Sequence, residues 1–370
     1  MVLPILGARS APWISNLVAV SVIAVVLFVT VLGFWAFQPP IPRPGSHGGT
    51  TVQVTIPVEP SGPVSIQEVL RLLYAPLKMQ PTTPSFTDDL GRSYKLPAKP
   101  LFPNLLGKDL LVVDLETRPL DKNGQLLHKG AFRWGDLDYL SGGVMNHYTY
   151  AMIHGYDYKF VQAASFDDRH NTWIKPSALA NLLKHYKFVV FLDADAAFHQ
   201  MQMPMEWLLN YWQITPEISL AMPLDPSGPP GTNDDRFNRT LTNTGFIIAQ
   251  QSERTQEILR AWHECPDDTR YPDCSQWKQP RFHEQSAFGN YIRYDYEENV
   301  KELPCTEANG YPSETAQCEG IFMRHYWYGK ERVRDDLANS TMEAIMAPIQ
   351  KLYMDHRKDI ITEQAKNEII

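Results

Sequence analysis

The sequence predicts an α/β fold: a mostly parallel sheet with helices on both faces, preceded by one transmembrane helix and a Pro-rich stalk. Three observations predict it. A charge-free apolar run, Leu17 to Phe37, stands near the start, 13 of the 29 prolines crowd between Gln38 and Asn104, and beyond Asn104 short apolar runs alternate with amphipathic segments. The 370 residues hold 34 Lys and Arg against 42 Asp and Glu, a formal net charge of −8, with 44% apolar and 11% aromatic residues. That composition supports a large core and rules out disorder over the whole length. An acidic balance with no basic run longer than two residues argues against nucleic acid as a partner.

The expected organisation is a cytosolic tail over 1–13, a transmembrane anchor over 14–37 and a stalk over 38–104. A lumenal catalytic domain follows over 105–345, with a helical tail over 346–370. The run LVAVSVIAVVLFVTVLGFWAF is long enough for a hydrocarbon core of ~30 Å, whereas a cleaved signal peptide needs only ~7–15 apolar residues. It closes on Phe34, Trp35 and Phe37, which suit a membrane interface. The glycosylation sequons at Asn238 and Asn339 and all four cysteines lie on its C-terminal side, which favours a lumenal body. Four cysteines allow three connectivities, and the neighbouring pairs Cys265 with Cys274 and Cys305 with Cys318 are the simplest. Proline resists both helix and central strand, so residues 38–104 read as extended chain. The exception is Ser65 to Lys78, where Ile66, Val69, Leu70 and Leu73 have helical spacing.

Within the body, DLLVVDL from Asp109 to Leu115 reads as a buried strand bounded by charge, and Gly142 to Ile153 as a helix. Tyr158 to Ala163 reads as a strand, Ile174 to His185 as a helix, and Lys187 to Leu192, KFVVFL, as the strongest strand of the chain. Strands alternating with helices imply parallel neighbours, and such sheets bind ligands beyond the carboxyl ends of their strands. The residues found there are Asp193-Ala194-Asp195. Two carboxylates one residue apart on such a loop can share Mn²⁺ or Mg²⁺ and leave sites open for phosphate oxygens.

The block WIKPSALANLLKHYKFVVFLDADAAF resembles the central block of glycosyltransferase family 34, the Golgi galactosyl-, mannosyl- and xylosyltransferases, through Trp173, Lys175, Asp193 and Asp195. MNHYTYAMIHGYDYKF is similar to that family's asparagine-and-tyrosine helix with His154, Gly155 and Tyr156. LTNTGFIIA carries the Asn-Thr-Gly strand as Asn243, Thr244 and Gly245, and HEQSAF the acidic-Gln helix start as Glu284 and Gln285. IFMRHYWYGKERV offers His325 and Lys330, though the family's usual His-Phe-x-Gly-Cys is replaced by His-Tyr-Trp-Tyr-Gly.

The resemblance implies a GT-A fold and a metal-dependent, retaining hexosyltransferase held in the Golgi as a single-pass type II membrane protein. UDP-galactose or GDP-mannose is the expected donor and a glycan or glycoprotein the acceptor. The ligands of Mn²⁺ would be Asp193, Asp195 and His325. The donor would meet Trp173, Lys175, Asp193, Asn243, Thr244, Gly245 and Lys330. Gln285, with its amide oxygen toward the anomeric carbon, suits front-face attack, and Glu284 is the candidate if a covalent intermediate forms. Complexes with other Golgi transferases are a further partner class to expect. Leu224 to Asp235 reads as a mobile loop of the kind that forms lids, and Trp134, Tyr139, Trp327 and Tyr328 as residues that could stack on sugars. The alternatives are another retaining GT-A family, an inactive glycan-binding or scaffold relative, and a metal-dependent hydrolase.

Overall fold

A computed structural model describes residues 64–363 apart from 230, 281 and 313–317. The expected cytosolic tail, the anchor and the stalk up to residue 63 lie outside the described residues, as does the last part of the expected tail, 364–370. Among the described residues, no helix is long and apolar enough to cross a membrane.

Helix α1 (Ile66–Tyr74) opens on Ser65, whose hydroxyl accepts from the Glu68 N–H, a side-chain cap for a helix start. A hairpin of β1 (Ser85–Thr87) and β2 (Ser93–Lys95) follows. The main elements after it are β3 (Leu110–Glu116), α2 (Tyr139–His154), β4 (Asp157–Gln162), α3 (Ile174–Leu182), β5 (Phe188–Leu192) and β6 (Ala196–Phe198). Then come α4 (Met205–Tyr211), β7 (Leu220–Pro223), β8 (Phe246–Gln250), α5 (Glu253–Glu264), α6 (His283–Ala287), β9 (Val300–Leu303), β10 (Met323–His325) and α7 (Arg332–Asp355).

The main sheet has six strands in the order β4-β3-β5-β8-β7-β9. Five run the same way and β8 alone runs against them, antiparallel to both β5 and β7, so the sheet is mixed. The reversal follows from the β7–β8 connection. It turns back on itself through the antiparallel bridge Leu224↔Thr242 and crosses no helix.

Alternation along the strands divides the core in two, since successive side chains point to opposite faces. Leu110, Val112, Val190, Leu192, Phe246 and Ile248 face one cluster with α2 and α4. Leu111, Val113, Val189, Phe191, Ile247 and Ala249 face the other with α3, α5 and α6. The expected helices on both faces are thus present.

The stretch 64–104, expected as stalk, packs on this body instead. Phe86 and Tyr94 from the hairpin meet Trp207, Tyr211 and Phe322 in one aromatic cluster. The buried Asn210 amide donates to Pro81 O and Phe102 O, and Trp207 Nε1 donates to Thr83 O. Proline here fixes turns against the core, which composition alone does not distinguish from extended chain. Helix α7 runs through the expected boundary at 345 without a break. The disulfides are Cys265–Cys274 and Cys305–Cys318, the neighbouring pairs.

Candidate active site

Strand β5 ends at Leu192, and the next residue enters the cleft. The Asp193 N–H donates to Gly245 O at 2.8 Å, and the Ala196 N–H returns to Asp193 O at 2.8 Å, closing a tight turn that projects both carboxylates. After that turn β6 pairs antiparallel with β10, which sets His325 opposite Ala196. A ligand atom from each of Asp193, Asp195 and His325 lies within 4.8 Å of the others, although His325 is 130 residues beyond Asp195. His325 Nε2 stands 3.2 Å from Asp195 Oδ1 and Nδ1 stands 3.1 Å from Asn309 Oδ1. Two carboxylates and an imidazole nitrogen converging on one point fit a divalent cation such as Mn²⁺.

Helix α2 holds this loop from behind. A Cβ on Gly143 would fall 2.1 Å from Ala194 O, so only glycine permits the approach. One turn on, His147 Nε2 meets Ala196 O at 3.0 Å and Nδ1 meets Asp114 Oδ1 at 2.8 Å, while Asn146 bonds both N and O of Phe198.

Two lysines serve the carboxylates. Lys175 is buried, with Nζ 3.0 Å from Asp193 Oδ1, 3.1 Å from Glu284 Oε1 and 3.1 Å from Thr244 O. Burial pulls its pKa down, but the two carboxylates outweigh that and hold it above the ordinary value. Lys330 Nζ lies 2.5 Å from Asp195 Oδ2. Burial opposes the charge on Asp195, yet His325 and Lys330 hold its carboxyl well below the usual range. Glu284 behaves likewise: burial raises its pKa, and the Lys175 ammonium brings it below its ordinary value.

The Asn-Thr-Gly motif reaches the same edge because β8 is reversed, so its amino end lies beside the carboxyl ends of β5 and β7. Thr244 N–H donates to Gln285 Oε1 at 3.1 Å, and Thr244 Oγ1 donates to Glu284 Oε1 at 3.0 Å. Gln285 Nε2 donates to Asp225 Oδ2 at 2.7 Å. The Gln285 amide oxygen is therefore engaged by backbone, which differs from the expected orientation toward an anomeric carbon. Glu284 sits on the inner side of Lys175, buried and ion-paired, an arrangement that holds Lys175 in place. Trp173 is fully buried in the core with its indole N–H on Trp277 O and is not among the residues that line the cleft.

A cleft of about 420 Å³ opens over these groups, lined by Asp193, Asp195, Lys175 and Lys330 with Arg118, Tyr139 and His170 among others. Of the aromatics expected near sugar, Tyr139 lines it, with Lys330 Nζ 5.3 Å from its ring, while Tyr328 is exposed. The loop from Leu224 to Asp235 is tied at its far end, where the buried Asp235 accepts from Arg293 and Tyr294.

Sequence reading missed Asp225 and Asn309. Asp225 follows LAMPL as Asp193 follows FVVFL, an apolar run ending in acid, so the same signal was present. Burial raises the pKa of the Asp225 carboxyl, with Asn243, His325, Gln285 and Asn309 pulling the other way. Asn309 lies in a segment without periodicity and carried no signal.

A cleft at the edge of a mixed sheet gathers two carboxylates and two ammonium groups, with the His325 imidazole against Asp195, a set whose chemistry suits an anion beside a divalent cation. Residues 128–212 match the model of the galactosyl transferase GMA12/MNN10 family, which is glycosyltransferase family 34. The resemblance seen in the sequence is thus borne out over the segment that holds Trp173, Lys175, Asp193 and Asp195.

No curated protein matches the sequence. Among solved structures, a glycosyltransferase involved in glycosylation of the major capsid of PBCV-1 aligns with 12% identity and a TM-score of 0.44, over 62% of this chain and 98% of that one. Mouse xyloside xylosyltransferase 1 in its apo form aligns with 13% identity and a TM-score of 0.36, over 60% and 99%. An active-site mutant of LgtC aligns with 9% identity and a TM-score of 0.35, over 62% and 95%.

Proposed function

We propose that this chain is a metal-dependent retaining glycosyltransferase of the GT-A type that moves a hexose, galactose or mannose, from a nucleotide sugar to a glycan. The observation that carries the reading is the meeting of the buried His325 with Asp193 and Asp195, two carboxylates that line a cleft together with Lys175 and Lys330. A sugar nucleotide leaves a diphosphate on which negative charge grows, so a transferase must concentrate positive charge where that charge develops. Bound at Asp193, Asp195 and His325, Mn²⁺ would act there as a Lewis acid.

The chain's own groups do the rest. Lys330, half-exposed on the rim, can leave Asp195 for a diphosphate oxygen, whereas Lys175 is locked between Asp193 and Glu284. Thr244 and Gly245 bring backbone beside His325 and Asp193 and brace the turn that carries the carboxylates. With Gln285 tied to Thr244 and Asp225, and Glu284 to Lys175, front-face attack suits this site better than a covalent intermediate. The donor phosphate would then accept the proton of the acceptor hydroxyl.

A single-pass type II protein of the Golgi membrane with a lumenal catalytic domain is the matching setting. Its support is the Leu17–Phe37 run together with two disulfides on the C-terminal side. The reaction class is tested by proton NMR of the first product formed from an α-linked donor. An α-glycoside at the earliest time point is expected, and a β-glycoside would overturn retention.

A further inference from the structure

We propose that Asp225 is a positioning residue for this site, one buried carboxylate that orients the Asp193 side of the proposed cation site through two carboxamides and lies against a third, Asn309, which holds His325. The inference rests on the metal reading of Asp193, Asp195 and His325. Asn243 Nδ2 donates to Asp225 Oδ1 at 2.8 Å, and Gln285 Nε2 donates to Oδ2 at 2.7 Å. The Asn309 amide lies against the same carboxylate and donates to Leu224 O at 3.0 Å. A carboxylate is an acceptor only, which lets it receive both NH₂ groups, from Asn243 and Gln285, at once.

Fixing the nitrogen of an amide also fixes its oxygen. Asn243 Oδ1 accepts the Gly245 N–H at 2.7 Å, and Gln285 Oε1 accepts the Thr244 N–H at 3.1 Å. Together these set the turn whose Gly245 O receives the Asp193 N–H. Asn309 turns its oxygen to His325, so Nδ1 is the nitrogen that carries hydrogen. Nε2 is then the nitrogen presented to Asp195 Oδ1 and to a cation held there. That is the ring orientation a metal ligand needs, assigned here from the amide network. Asp225 is buried outside the cleft lining, so it acts through the amides and touches no ligand. An asparagine in its place would present one NH₂ to another NH₂, and one of the two amides would have to turn.

The test is Mn²⁺ titration of the full chain, followed by electron paramagnetic resonance without donor, beside ¹⁵N NMR of the His325 imidazole. Asp225→Asn should weaken Mn²⁺ binding by about 10- to 100-fold, the usual effect of losing an outer partner of a metal site. It should also shift His325 away from the Nδ1–H form. The swapped pair, Asp225→Asn with Asn243→Asp, restores an acceptor opposite the new NH₂ and should recover most of the affinity. Asp235→Asn removes another buried carboxylate, held by Arg293 away from this network, and should lower stability while leaving Mn²⁺ affinity within about twofold.

Unchanged affinity and tautomer in folded Asp225→Asn would overturn the proposal, as would a folded swapped pair that recovers neither. Failure of the wild type to bind Mn²⁺ would sink the metal reading instead, and the His325 tautomer would still decide the role of Asp225.

Discussion

Lys330 Nζ lies 2.5 Å from Asp195 Oδ2, so one of the two carboxylates proposed to hold a cation already has an ammonium partner on its open side. An arriving cation must compete with that contact, and the lysine it releases is then free for the diphosphate. Lys330→Met should therefore bind Mn²⁺ more tightly without donor, by about 3- to 10-fold for a half-exposed pair, and bind nucleoside diphosphate more weakly. Titration of the variant with each ligand separately checks both signs. Weaker binding of both would mean that Lys330 only braces the loop.

Lys175 is placed differently, and its loss should be felt first in stability. Its ammonium is buried between Asp193 and Glu284, and Glu284 is itself buried, with Oε2 lacking a hydrogen-bond partner among the described residues. Lys175→Met leaves that charge unpaired and should cost about 3–5 kcal/mol of unfolding free energy. Adding Glu284→Gln removes the orphaned charge and should return a good part of the loss in urea unfolding. A double variant no better than the single one would show that the pair is not coupled.

His154 gives the fold a dependence on acid. Burial pushes its imidazole down to about 3, with nearby Lys78 adding to the effect, while Nε2 meets Met201 O at 2.9 Å. The unfolded chain takes up a proton near 6.5 and the folded chain does not. The contribution is therefore fully present above about pH 6.5 and is lost as the pH falls toward 3, at up to about 1.4 kcal/mol per unit. His154→Gln should flatten this segment of the stability curve. An unchanged slope between pH 6.5 and 5 would assign the acid sensitivity elsewhere.

The hairpin region predicts where the catalytic body begins. A chain starting at 105 leaves the Asn210 amide and the Trp207 indole without their partners, at about 1–3 kcal/mol for each buried group, and strips the aromatic cluster at Phe322. A chain starting at 64 keeps them. The longer form should melt at least about 10 °C higher in differential scanning fluorimetry. Equal melting points would return residues 64–104 to the stalk.

Legibility in the sequence followed the range of each signal. Asp193 and Asp195 were readable because an apolar strand ending in two acids is a local pattern, and the neighbouring disulfides were readable because their loops are short. His325 was reachable only through resemblance, since the β6–β10 pairing that brings it to Asp195 spans more than a hundred residues. The reversed β8 was hidden because FIIA reads the same in either direction, and the antiparallel return from Leu224 to Thr242 has no periodicity of its own. The orientation of Trp173 and Gln285 was not legible, because a motif gives identity without orientation. In the structure one is buried in the core with its indole N–H on Trp277 O, and the other spends its amide on Thr244 and Asp225.

Donor hydrolysis by the full chain tests the central claim most directly, run across UDP- and GDP-hexoses with and without Mn²⁺ and repeated with Asp195→Ala. The account predicts turnover of one donor that requires Mn²⁺ and disappears in the variant. Turnover that ignores both the metal and Asp195, or a folded protein that neither binds nor cleaves any donor on the panel, would contradict it.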